Sequence, residues 1–133
     1  MTQHEPRYSV TVKRQLIAQH FLVGGDWGRE NERNSHRYEI QARYEGSSLD
    51  RHGFLVDIDA INGMLDGLVD RYRDRTLNEL PEFDGLNPSV EHFARILSDQ
   101  LVVTAPNVDR LEVTVWEDDA ASAAYRRTLD STA

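Results

Sequence analysis

Apolar and polar residues alternate over three stretches of the chain and recur at helical spacing over two. Val10 and Val12 alternate with Ser9 and Thr11, and Leu16, Ala18 and His20 continue at period two, so Tyr8 to Leu22 reads as a strand. Glycines 24, 25 and 28, around Asp26 and Trp27, break it. The charged run Arg29, Glu30, Asn31, Glu32, Arg33, Asn34 reads as a loop. Tyr38, Ile40, Ala42 and Tyr44 then share one face of a second strand, with Arg37, Glu39, Gln41 and Arg43 on the other. After the short apolar run Phe54, Leu55, Val56, a helix is predicted with Asp57 or Asp59 as its cap. Ile61, Met64, Leu65, Leu68, Val69 and Tyr72 form its single apolar stripe. Asn87-Pro88-Ser89 opens a second helix, with the proline near its first turn and Val90, Phe93, Ala94, Leu97 and Leu101 on its apolar face. Leu111, Val113 and Val115 mark a last half-buried strand. Strand, strand, helix, helix, strand implies an α+β fold, an antiparallel sheet with two helices on one face.

Composition narrows the function. A chain of 133 residues suits one domain, expected to span 1–133 with a core over about 8–126. The absence of cysteine excludes disulfides, thiolate zinc sites and cysteine nucleophiles. A net charge of −8 repels phosphate backbones, so no nucleic-acid partner is expected. No apolar run is long enough to span a bilayer, and Met1 to Pro6 has no hydrophobic signal core. The expectation is a soluble, cytoplasmic protein with no membrane partner. Lys13, the only lysine, has nothing around it to suggest a Schiff base.

Three residues stand out chemically. His20 and His36 sit in predicted strands, which hold imidazoles rigidly enough for a metal. Two histidines fall short of the three protein ligands of a catalytic zinc site, and each reads equally as a hydrogen-bonded group at a sheet edge. Glu117, at the end of the last strand, could accept two parallel hydrogen bonds from a flat donor pair, or could simply begin the acidic loop Glu117, Asp118, Asp119. His4, His52 and His92 read as a tail, a turn and a helix face, without a role.

The ordered set Ala18-Gln19-His20, Ser35-His36-Arg37-Tyr38, Gly53-Phe54-Leu55-Val56-Asp57, Leu77-Asn78, Asn87-Pro88-Ser89-Val90-Glu91, Val113-Thr114-Val115-Trp116-Glu117 and Tyr125 resembles the 6-pyruvoyl-tetrahydropterin synthase family, which includes the 6-carboxy-tetrahydropterin synthases. The resemblance covers about Val10 to Tyr125. It implies the tunnelling fold, a four-stranded antiparallel sheet with two helices on one face, assembled into a barrel as a trimer or hexamer. It implies a lyase that acts on a dihydroneopterin-type pterin, which Glu117 would anchor. It implies zinc held by histidines at positions 20, 34 and 36, but position 34 is asparagine, so the implied metal set is His20, His36 and Asn34. The cysteine expected near position 30 is replaced by Glu30, and the Asp-His pair by Arg73-Asp74. Glu30 and Asp74 are therefore the candidates for proton transfer, Glu32 being a plausible neighbour of the first. The alternative is a non-catalytic pterin-binding relative that keeps the fold and the ring anchor but has lost zinc and catalysis.

Overall fold

The computed structural model describes residues 6–130. Strands β1 (Tyr8–His20) and β2 (Asn34–Gly46) form a long antiparallel hairpin. Helices α1 (Ile58–Tyr72) and α2 (Val90–Asp99) follow, and then a second hairpin of β3 (Arg110–Trp116) and β4 (Ser122–Thr128). β3 pairs with β2, so the four strands lie in chain order in one antiparallel sheet with β1 and β4 at its edges.

Strand parity divides the sheet. Leu16, Ala18, Tyr38, Ile40, Ala42, Tyr44, Leu111, Val113 and Val115 are buried, and they share one core with Ile61, Leu65, Leu68 and Tyr72 of α1 and Phe93, Ala94 and Leu97 of α2. Both helices therefore cover the same face, as the sequence pattern predicts. Asp57 is the cap of α1, its carboxylate accepting the N–H groups of Asp59 and Ala60 at 3.0 and 3.3 Å. Ser89 caps α2 by accepting the His92 N–H at 3.1 Å, so Pro88 stands before the cap and not inside the first turn. Leu101 is fully buried, although α2 ends at Asp99.

Three further differences have physical causes. β1 ends at His20, because the backbone of Phe21 and Val23 pairs with asparagine side chains and not with β2. The charged loop contains a 3₁₀ turn, Gly28–Asn31, and β2 begins already at Asn34. β4 shows no apolar alternation, because its helix-facing positions are Ala123, Tyr125 and Arg127, opposite Val115, Val113 and Leu111. Arg127 reaches α2, donating from Nε to Ser98 Oγ at 2.9 Å and pairing with Asp99.

A polar clamp ties α1 to the following segment. Arg71 donates twice to Glu82, at 2.6 and 2.5 Å, and the Tyr72 hydroxyl donates to the same carboxylate at 2.6 Å. The Arg71 guanidinium, opposed by partial burial and aided by Tyr72, holds the Glu82 carboxyl down at about 2. A carboxyl depressed on folding stabilises the fold above its unfolded value, near 4.5, and loses that contribution as pH falls toward 2. Glu82→Gln is accordingly expected to cost about 1–2 kcal/mol at neutral pH, after allowance for the exposure of Arg71. The gap from the parent should close as urea unfolding is repeated at falling pH.

Candidate functional site

Parity also builds the site. His20 is the last residue of β1 and faces Asn34 across the ladder, and His36 lies opposite Ala18. All of these point to the helix-covered side, as do Tyr38 and Ile40. Ile40 pairs with Val115, so Glu117, two residues on, emerges on the same side just past the end of β3. Three strands thus deliver His20, His36 and Glu117 to one end of the sheet's inner face.

The two imidazoles stack, with centroids 4.7 Å apart and planes inclined by 14°. Glu117 Oε1 stands 3.4 Å from His36 Nε2 and 4.0 Å from His20 Nε2. Glu30 Oε2 stands 3.4 Å from His20 Nε2. One ligand atom from each of His20, Glu30, His36 and Glu117 lies within 4.8 Å of the others. His20 is buried, His36 and Glu117 are half-buried, and Glu30 opens to solvent. Burial, reinforced by neighbouring His36, lowers the His20 pKa against the opposing pull of the two carboxylates. The ring is therefore held neutral, the form that ligates metals.

Tyr38 completes this arrangement. Its hydroxyl is 2.5 Å from His20 Nδ1. Burial, followed by the nearby charges of Glu117 and Glu30, raises its pKa well above the ordinary phenol value, so it stays protonated. When His20 presents its Nε2 lone pair, Nδ1 must carry the hydrogen, and the Tyr38 oxygen accepts it, which orients the ring toward the cluster. Donors on one tetrahedral zinc, with bonds of about 2.0–2.2 Å, stand about 3.3–3.6 Å apart. The contacts of His20 with Glu30 and of His36 with Glu117, both 3.4 Å, match that spacing, so the donor set suits a divalent cation such as zinc.

Asn34 and Asp74 behave differently. The Asn34 amide nitrogen donates to the backbone oxygens of His20, at 3.2 Å, and Glu32, at 2.8 Å, closing the end of the hairpin. This leaves its Oδ1 against His36 Nε2, at the rim of the cluster. Asp74 is exposed beside the β1 edge, with φ +60° and its N–H donating to Ile17 O at 2.7 Å. It borders a separate hollow with Gln15, Ile17, Arg37 and Arg73. Glu32 is likewise exposed and outside the four. His52 is exposed, His92 Nδ1 meets Asn87 O at 2.7 Å, and His4 lies outside the described residues.

The sequence reading missed the parts that position Glu30. Asn78 pairs twice with the backbone of Phe21, accepting its N–H at 3.0 Å and donating to its oxygen at 2.8 Å. Asn87 does the same for Val23, at 2.8 and 3.1 Å. Asn31 donates to Leu22 O and Gly25 O and accepts from Trp27 N–H, and Leu22 N–H donates to Glu30 O at 2.7 Å. These three asparagines shape the loop that carries Glu30. Asn78 and Asn87 stand in the sequence only as parts of the resemblance and Asn31 only as part of a charged run, with nothing local to show which backbone they bind, whereas Tyr38 is legible as the residue two beyond His36 on the same face.

A profile of the 6-pyruvoyl tetrahydropterin synthase family matches residues 9–128. No curated protein matches the chain. Among solved structures, Caenorhabditis elegans 6-pyruvoyl tetrahydropterin synthase superposes with a TM-score of 0.80 at 18% identity, covering 95% of this chain and 99% of that one. Plasmodium vivax 6-pyruvoyl tetrahydropterin synthase gives 0.75 at 14% identity, covering 94% and 100%. A putative dihydroneopterin aldolase from Vibrio cholerae gives 0.55 at 11%, covering 95% and 99%. At these identities the likeness establishes the fold, the four-stranded antiparallel sheet with two helices that the sequence predicts. Among the described residues, no helix is long and apolar enough to cross a membrane. With the match running through all four strands and both helices, the chain belongs to the 6-pyruvoyl tetrahydropterin synthase family.

Proposed function

We propose that this family member is a pterin-binding lyase of the 6-pyruvoyl/6-carboxy-tetrahydropterin synthase kind, acting on a dihydroneopterin-type substrate through an altered metal site. The observation that carries this reading is the convergence of Glu117, His20 and His36 at one end of the sheet. Glu117 offers a half-buried carboxylate acceptor that suits the flat amino and N–H edge of a pterin. His20 and His36 would hold a zinc ion beside it, with Asn34 at the rim, and such an ion makes the proton next to a gripped side-chain oxygen more acidic.

The residues of the chain supply the rest. Tyr38 fixes the tautomer and orientation of His20. The packing on the helix-covered side of the sheet keeps water from the His20 imidazole. Proton transfer falls to a carboxylate, and the candidates are Glu30, within the cluster, and Asp74, outside it. Two solved Plasmodium vivax synthase variants carry cysteine or alanine in place of a catalytic glutamate, which favours a carboxylate in that role in that protein. Among the described residues, β4 and the part of β1 before Ile17 have no strand on their outer edge, and a trimeric or hexameric barrel would supply one.

Incubation of the zinc-supplied protein with dihydroneopterin triphosphate, or with dihydroneopterin, is expected to yield a cleaved or rearranged side chain detectable by chromatography. The engagement of Asn34 in the hairpin favours a second reading, a non-catalytic relative. Saturable pterin binding with no turnover of either substrate at saturating zinc would select that second reading over the lyase.

A further inference from the structure

We propose that Glu30 takes the place of the histidine missing at position 34, so that the metal site is built from His20, His36 and the Glu30 carboxylate. This rests on the pterin-site reading above and assigns the ligands within it. Two imidazoles leave a divalent ion one protein ligand short, and a carboxylate is a stronger third ligand than an amide. The Asn34 amide nitrogen is committed to two backbone oxygens, and its remaining oxygen is a weak donor beside imidazole. Glu30 instead reaches His20 Nε2 at 3.4 Å, the separation of two donors on one tetrahedral ion.

The loop that carries Glu30 is built for a fixed position. Asn31, Asn78 and Asn87 together hold the backbone of residues 21 to 27, and the Glu30 carbonyl accepts the Leu22 N–H. Such a scaffold positions a ligand more rigidly than an exposed charged loop requires. Glu117, the fourth member of the cluster, lies in the turn after β3, where its N–H donates to Ala121 O at 3.2 Å, and the pterin-site reading assigns its carboxylate to the ring. Two imidazoles and one carboxylate form a donor set that accepts zinc, iron(II), cobalt(II) or manganese(II).

The test is titration of the chelator-stripped full-length protein with cobalt(II), read by visible absorption and calorimetry. Glu30→Gln is expected to raise the dissociation constant by at least about tenfold and to alter the visible bands. Glu30→His, which puts an uncharged nitrogen ligand in place of the carboxylate, is expected to recover binding, which separates coordination from simple charge attraction. Asn34→Ala is expected to change the constant far less than Glu30→Gln does. The assignment is overturned if Glu30→Gln binds and absorbs like the parent, if Glu30→His is no better than Glu30→Gln, or if Asn34→Ala loses as much as Glu30→Gln. Far-UV circular dichroism checks the fold of each variant, and if Asn34→Ala unfolds, the two Glu30 variants decide alone. His20→Ala or His36→Ala binding cobalt like the parent would instead defeat the underlying pterin-site reading, a result separable from the Glu30 outcomes.

Discussion

Replacing Glu117 by glutamine is expected to weaken binding of a reduced pterin by roughly 30- to 1000-fold, equivalent to about 2–4 kcal/mol. The size follows from the chemistry of the contact. An ionised carboxylate accepts two parallel hydrogen bonds from an amino group and its neighbouring ring N–H, and each such bond to a charged group contributes about 1.5–3 kcal/mol. Glutamine keeps one acceptor but turns an NH₂ toward a ligand donor, so one bond is lost and one donor pair is opposed. The side chain is half-buried at the end of the cluster, and its backbone position is set by the short turn to Ala121, so the fold should be little affected. Fluorescence titration with a dihydropterin measures the loss, and thermal unfolding verifies the fold. Equal affinity in the parent and the variant would remove Glu117 from the ligand site, and the proposed function with it.

Phe93→Ala is expected to cost about 3–5 kcal/mol of folding stability, the usual range for truncating a fully buried phenylalanine. Phe93 has no exposed surface, and it stands at the centre of an aromatic group. Its ring meets Tyr38 and Tyr72 edge-on at 5.2 Å and Phe83 at 5.8 Å. Each such pair adds a geometric preference to the area that the ring buries. The consequence extends to function, because Tyr38 is the residue that orients His20. A cavity under Tyr38 should therefore loosen the metal site as well as the core, and metal affinity should fall in the fraction that stays folded. Urea unfolding measures the first effect and cobalt titration the second. Phe54→Ala is the control: Phe54 is 61% exposed, and its loss should barely change stability. A cost below about 1 kcal/mol for Phe93→Ala would mean that the core closes over the missing ring.

The sequence reading succeeded where one local rule dominates. Period-two burial at Tyr38, Ile40, Ala42 and Tyr44, and the helical stripe from Ile61 to Tyr72, are repeated enough to determine which face turns inward. β4 escaped because its inner face carries alanine, tyrosine and an arginine that finds polar partners on α2. β1 stops two residues short of the predicted Leu22 because Asn78 and Asn87, more than fifty residues away, replace β2 as the hydrogen-bond partners of residues 21 and 23. The same long-range contacts decide where Glu30 stands.

What the sequence alone determined is therefore the set of side chains offered to each face: His20, His36 and Glu117 each occupy an inward position of a strand or lie directly beyond one, and alternation is a property of the local backbone. What only the tertiary structure decided is their distance from one another. The pairing of β1 with β2 and of β2 with β3 brings residues nearly a hundred positions apart in the chain to within 3.4–4.0 Å, and the asparagine-bound loop adds Glu30 to them. Those separations depend on strand register and on loop closure, both of which are set by the packing of the whole core and by no local pattern.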